Sequence, residues 1–124
     1  MMQSNDIIAV VVWYNPNATH AHNLMSYAHV VRHVVVVDNS INDHSPLLQE
    51  MSDNLTYIPL HDNFGIAHAL NIGCNMAVQM GAQWILTMDQ DSQWQTGQLE
   101  HYIHTANNYP SIEQVGVFSP RQVY

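Results

Sequence analysis

Lysine is absent from this 124-residue sequence, and Arg32 and Arg121 are its whole basic complement against ten acidic residues. The formal net charge is −8 with the histidines neutral. Recognition of a phosphate backbone needs clustered Lys and Arg, so DNA and RNA are excluded as partners. By the same logic an anionic ligand would need a divalent cation, backbone amides or histidines as its counter-charge. Cysteine is nearly missing as well. Cys74 stands alone, which excludes an internal disulfide, and it reads as a small buried hydrophobe on a helix. The opening MMQSND has neither the basic nor the apolar region of a signal peptide. No apolar run approaches the roughly 20 residues that span a bilayer. The expectation is a cytoplasmic protein, at most resting on the inner face of the membrane.

What is present is an ordinary core and an unusual surface. Apolar residues make up 47% of the chain and charged ones only 10%, while nine histidines supply the titratable positive charge. Net charge therefore falls in magnitude as pH drops through about 6.5. The length fits one domain, residues 1–124, with room for a real core.

DIIAVVVWY (6–14) and HVVVVD (33–38) are continuous β-branched runs, the pattern of strands buried on both faces. LTYIPL (55–60) is a third strand, with Pro59 marking an edge or a fraying end. QWILTMD (83–89) is a fourth buried strand, and EQVGVFSP (113–120) offers a fifth. Between the first two, turn residues give way to Leu24, Tyr27, Ala28 and Val31 at helical spacing. Ser45 and Pro46 suit the start of a short helix, PLLQEM. Ile66, Ala69, Leu70, Gly73, Ala77 and Met80 form a stripe on a helix closed by Gly81. Thr96 caps a last helix carrying Leu99, Ile103 and Ala106. This alternation predicts an α/β fold with a mostly parallel sheet covered on both faces.

Ligands of such sheets sit outside the carboxyl ends of the strands. Those tips carry Tyr14-Asn15, Asp38-Asn39-Ser40, Asp62-Asn63 and Asp89-Gln90-Asp91, so one rim collects polar groups from four strands. In an extended segment residues i and i+2 share a side, so Asp89 and Asp91 face one cation together while Gln90 turns away. Two carboxylates with positions left open for water and phosphate oxygens suit Mg²⁺ or Mn²⁺; the bland alternative is a solvated turn. Asp38 can accept from a base ring N–H or from ribose hydroxyls, with Ser40 assisting, or it can simply form an Asx-turn. Gly65 permits a tight turn before a helix whose first amides can face phosphate oxygens, or it marks a plain loop-to-helix entry. Asn71 and Gly73 are poor helix formers, which points to packing or contact roles.

Other constellations carry less. His20-x-His22 and His101-x-x-His104 have zinc-like spacing but lack cysteine partners or the glutamate of HExxH, and the second pair reads as solvated surface. Trp13 and Trp84 read as core, and Tyr14 either stacks on a base or packs. No GxxxxGK[ST] is present, and no GxGxxG follows the first strand.

AVVVWYNP (9–16), VVVVDNSIND (34–43), DNFGIAHALNIGCNMA (62–77) and WILTMDQDS (84–92) occur in an order and spacing that resembles glycosyltransferase family 2. Among its members the wording NxGIAxALNxG and DQDS is most similar to the rhamnosyltransferases. The resemblance implies the GT-A fold, a Rossmann-like three-layer α/β sandwich, here truncated after about five strands to the nucleotide-sugar-binding portion. It implies inverting transfer of a sugar from a nucleotide-diphosphate sugar, dTDP-rhamnose or a UDP-sugar, to a glycan or lipid-linked acceptor. Trp13, Tyr14 and Asn15 would contact the base, Asp38 would bind its ring, and Ser40 would lie close by. Asn63 and Gly65 would line the diphosphate and sugar pocket. Asp89 would lie nearer the ribose or sugar, and Asp91 would hold Mg²⁺ or Mn²⁺ on the diphosphate.

Two departures stand out. Trp13 replaces the threonine or serine usual before the Tyr-Asn pair, and no acid in the sequence matches the family's catalytic base, so the base stays unassigned. The rival expectation is a non-catalytic module or inactive fragment that keeps the fold and forms a homo-oligomer through an exposed sheet edge.

Overall fold

The computed structural model describes residues 1–119. Its centre is a sheet of four parallel strands, β1 (Ile7–Trp13), β2 (His33–Asp38), β3 (Leu55–Pro59) and β4 (Trp84–Asp89), in the order β3-β2-β1-β4. Three helices cover it: α1 (Ala18–Ala28), α2 (Ile66–Gln79) and α3 (Gln98–Asn107). The α/β architecture expected from the alternation is the one found.

The β-branched runs explain the middle of the sheet. Val34 to Val37 of β2 are wholly buried, and so are Ile8, Ala9 and Val10 of β1. Each such Val or Ile side chain is worth about 1.5–3 kcal/mol when removed from water. Alternation divides them into two cores. Ala9, Val11, Trp13, Val34 and Val36 pack with Leu24 and Tyr27 of α1 and Leu99 and Ile103 of α3. Ile8, Val10, Val35 and Val37 pack with Ala69 and Ala77 of α2 on the other face.

Gly73 settles its own question. A Cβ there would lie 2.4 Å from Cγ1 of Val10 and 3.0 Å from Cγ2 of Val37, so its missing side chain is what lets α2 lie close on the sheet. Ile66, placed on the buried stripe by spacing, is 67% exposed, because α2 meets the sheet only further along.

Both outer strands are edges. β3 is half-buried along its length, as Pro59 foretold. β4 is half-buried too, with Thr87 and Asp89 exposed, so the fully buried fourth strand expected from its apolar run is not found. The fifth strand does not form among the described residues. Ile112–Gln114 is a 3₁₀ turn, residues 115–119 pair with no strand, and Val117 is 83% exposed. Phe118 explains the apolar signal: it packs its ring on Trp84 and Tyr109 without entering the ladder. The expected helix PLLQEM is a 3₁₀ turn, Ser45–Leu48, and α3 begins after Gly97 in a left-handed conformation rather than at Thr96. Among the described residues no helix is long and apolar enough to cross a membrane.

Candidate functional site

The chain runs β1, β2, β3 in one direction across the sheet and then crosses back to place β4 on the far side of β1. That reversal opens a crevice between the tips of β1 and β4, the position at which open α/β sheets take ligands. A cleft of about 560 Å³ lies there, bounded by Tyr14, Asn63, Gly65, Asp89 and Asp91, with Val12 and Leu70 as its apolar floor.

The acidic turn is built by its glutamine. The amide of Gln90 accepts from Tyr14 N–H at 2.8 Å and donates to the Tyr14 carbonyl at 3.2 Å, so one side chain extends the β1–β4 pairing past the last strand residue. Ser92 N–H returns to the Asp89 carbonyl at 3.1 Å, closing a turn. The segment is therefore not extended, which corrects the basis on which Asp89 and Asp91 were placed side by side. Asp89 pairs in register with Val12 on the face covered by α2, whereas Asp91 reaches toward α1. Both still border the one cleft.

Asp91 Oδ1 lies 2.9 Å from His20 Nε2, and Asn23 Nδ2 donates to the Gln90 carbonyl at 3.0 Å. The Trp94 N–H donates to Ser26 Oγ at 2.9 Å. His20, Asn23 and Ser26 recur every three residues, so one polar stripe of α1 docks residues 90–94. Sequence reasoning missed this stripe because it weighed His20 as a metal ligand; the i, i+3, i+6 spacing beside Leu24 and Tyr27 was its signal.

The tip of β1 is pinned from the other side. Asn15 adopts a left-handed backbone, φ 44°, and its N–H donates to the buried Ser40 hydroxyl at 2.7 Å. Ser40 thus shapes the rim rather than lining the cleft. At the third tip, Asn39 donates to Asn63 Oδ1 at 2.9 Å and accepts from Phe64 N–H at 2.8 Å. Asn63 Oδ1 also takes the Gly65 N–H at 2.9 Å. Gly65, at φ 86° and ψ 155°, turns the chain into α2, and no side chain caps that helix. Its first-turn amides are left for whatever enters the cleft.

Asp38 stands apart. It is wholly buried on the opposite face from the cleft, in line with Val34 and Val36. Neither a solvated tip nor an Asx-turn describes it. Its Oδ2 accepts from Tyr57 OH at 2.5 Å and from His44 Nδ1 at 2.7 Å, while Oδ1 has no partner among the described residues. Burial first, and then the bond to Asp38, pushes the Tyr57 phenol well above its ordinary pKa of 10, so it remains a donor. Trp13 lies beside Asp38 in the register, its indole fully buried and its Nε1 also without a partner among the described residues. Tyr14, Asn63, Gly65, Asp89 and Asp91 therefore share one cleft, and Trp13, Asn15, Asp38 and Ser40 do not open onto it. His44 and Tyr57 had no signal in the sequence, since one sits in a loop and the other in a strand.

The donor set also answers whether a divalent cation fits. Among the described residues no group of three or more His, Cys, Asp or Glu side chains is assembled as a metal centre. Two exposed carboxylates on a cleft open to solvent match the demands of Mg²⁺ or Mn²⁺, which keep most positions for water and phosphate oxygens. Asp91 Oδ2 has no protein partner among the described residues.

Comparison with known proteins shows the family. The family model described as Glycosyl transferase family 2 matches residues 10–122. The chain is 39% identical over 94 residues to the dTDP-rhamnosyl transferase RfbF of Shigella flexneri, an alignment covering 73% of this chain and 31% of that protein. The chain thus spans about a third of the length of the curated relative it matches. No solved structure matches it.

Proposed function

The chain belongs to glycosyl transferase family 2, and from that premise we propose that it forms the donor-binding part of an inverting glycosyltransferase. The donor is a nucleoside-diphosphate sugar, and the likeness to a dTDP-rhamnosyl transferase favours dTDP-rhamnose over a UDP-sugar. The observation that carries the reading is the cleft at the switch point. There, two exposed carboxylates share one cleft with the uncapped start of α2 in a chain without lysine.

The geometry supports the following division of labour. The first amides of α2 and the Gly65 turn suit phosphate oxygens, since helix N-termini carry partial positive charge. Tyr14, half-exposed at the mouth, offers a ring face for the nucleoside. Asp38 Oδ1, buried on the face away from the cleft and lacking a donor among the described residues, would take a base ring N–H if the nucleoside passes the rim to reach the β2 tip, with Tyr57 and His44 holding the carboxylate in place. Asp89 and Asp91 would hold Mg²⁺ or Mn²⁺. When bound there, a divalent cation would supply positive charge to hold the diphosphate and to offset the charge that develops on it as it leaves. An acceptor hydroxyl, on a glycan or lipid-linked sugar, attacks the anomeric carbon as the bond to the diphosphate breaks.

Calorimetric titration of the chain with dTDP and with UDP, each with and without Mn²⁺, tests this. Metal-dependent binding, tighter for dTDP, is expected. No binding of either nucleotide under any condition refutes it, and a concentration-dependent dimer indifferent to nucleotide would favour an interaction module in its place.

A further inference from the structure

Asp91 is 82% exposed, yet it does not swing freely, because the residue it meets is itself fixed. His20 is the third residue of α1, only 15% exposed, and its Nδ1 accepts from the backbone N–H of Asn17 at 3.0 Å. Asn17 returns the contact, its Oδ1 accepting from Thr19 N–H at 2.9 Å and His20 N–H at 3.3 Å. This is a capping box with histidine in the place where glutamate or glutamine usually stands.

That box settles the ring's tautomer. A nitrogen that accepts from a backbone N–H must carry its lone pair, so the ring proton resides on Nε2. Nε2–H then donates to Asp91 Oδ1 at 2.9 Å. Glutamate at this position would satisfy the helix equally well but would turn a carboxylate toward Asp91. Histidine caps the helix at one nitrogen and presents a donor at the other.

From this we infer that His20 is a positioning residue for the cation site: it occupies Oδ1 of Asp91 and leaves Oδ2 as the oxygen presented to a divalent ion. The inference rests on the proposed role of Asp91. It goes beyond it by making the start of α1, through Asn17 and His20, part of the machinery that sets cation affinity. Partners of this kind, which orient a ligand without touching the ion, typically change metal affinity by about 10- to 100-fold when removed. Asn23 and Ser26 hold the same turn from the next positions along α1, so the docking is not confined to one contact.

The test uses the whole chain, Mn²⁺ as probe and three variants. In the presence of dTDP, His20→Ala is expected to weaken Mn²⁺ binding, read as free Mn²⁺ by electron paramagnetic resonance, by about 10-fold. Binding of dTDP without the ion should not change. Gln at this position restores both contacts, one carboxamide oxygen for Asn17 N–H and one N–H for Asp91, so His20→Gln should recover affinity close to the natural chain. On an Asp91→Asn background, His20→Ala should cost no further affinity. Imidazole ¹⁵N spectra should show His20 protonated at Nε2 and bare at Nδ1. Natural-like Mn²⁺ affinity in His20→Ala, failure of the glutamine rescue, or a proton on Nδ1 would each overturn the inference. If the natural chain takes up no Mn²⁺ while the Nε2–H signature stands, both the cation reading of the cleft and this use of Asp91 fall, and the fault lies with the former.

Discussion

Replacing Gly73 by alanine is the sharpest probe of how the cleft is held. In an exposed helix interior this change stabilises by about 1 kcal/mol, because glycine is the poorer helix former. Here the added Cβ would sit 2.4 Å from Val10 Cγ1, well inside ordinary contact at 3.4–4 Å. Val10 has little freedom to yield. It is wholly buried in the middle of the sheet, and its branched side chain has few rotamers. Turning toward Val37 offers no relief, as that residue's Cγ2 would already be 3.0 Å from the new atom. The helix must lift, and overpacking of this sort costs about 1–3 kcal/mol. Net of the propensity gain, Gly73→Ala should destabilise by up to about 2 kcal/mol. Urea unfolding followed by circular dichroism gives the value directly, with an unchanged slope confirming that stability alone has moved. Asn71→Ala, exposed on the same helix, is the control and should stabilise by a few tenths of a kcal/mol. A Gly73→Ala chain at least as stable as the natural one would show that α2 does not pack as described, and the position of Gly65 and the cleft would lose its footing.

Gln90→Ala should remove both hydrogen bonds to Tyr14, cost about 1 kcal/mol of stability and weaken nucleotide binding more than that, since the tips of β1 and β4 would part; nucleotide affinity equal to the natural chain's would refute the clamp. Burial, and then the charge of Arg32, holds the His33 imidazole below its ordinary pKa of 6.5. The unfolded chain therefore takes the proton first, so the stability present above about pH 6.5 is lost as pH falls below it. His33→Gln should flatten that dependence, and an unaltered loss between neutral and mildly acidic urea titrations would show that His33 is not its source.

The fold was legible where the chain is simple. Two valine-rich runs, 8–13 and 34–37, have no reading other than strands buried on both faces, and they form the middle of the sheet. Elements failed where an apolar residue served packing without hydrogen bonding, as at Phe118, or where an edge exposed half of an apolar strand, as in β4. The rim was legible as a set of polar tips, because the carboxyl ends of parallel strands are the only places such residues escape the core. Which face each tip serves was not. Trp13 and Tyr14, or Asp38 and Asn39, differ by one residue and therefore by one side of the sheet. Nor could spacing show that Gln90 would bridge to β1 or His20 to Asp91, since those contacts join residues 76 and 71 positions apart.

Charge near a core is costly, and the structure shows which acid bears that cost. Asp89 and Asp91 are exposed and keep their hydration. Asp38 is wholly buried, and among the described residues both of its protein donors are on one oxygen and none on the other. An unpaired oxygen on a buried carboxylate is costly unless something supplies a donor there. On the proposed reading a base ring N–H would do so, and a hydrogen bond to a charged group contributes about 1.5–3 kcal/mol, or roughly 10- to 150-fold in affinity. Asp38→Asn keeps a carbonyl oxygen for Tyr57 and His44 but places an N–H₂ where the free oxygen stood, so the fold should be nearly as stable while dTDP affinity falls by that factor. Two measurements on one variant separate the possibilities. If stability collapses with binding, Asp38 is a structural acid whose partners are complete without ligand; if dTDP binds undiminished, the free oxygen is not where the base is read.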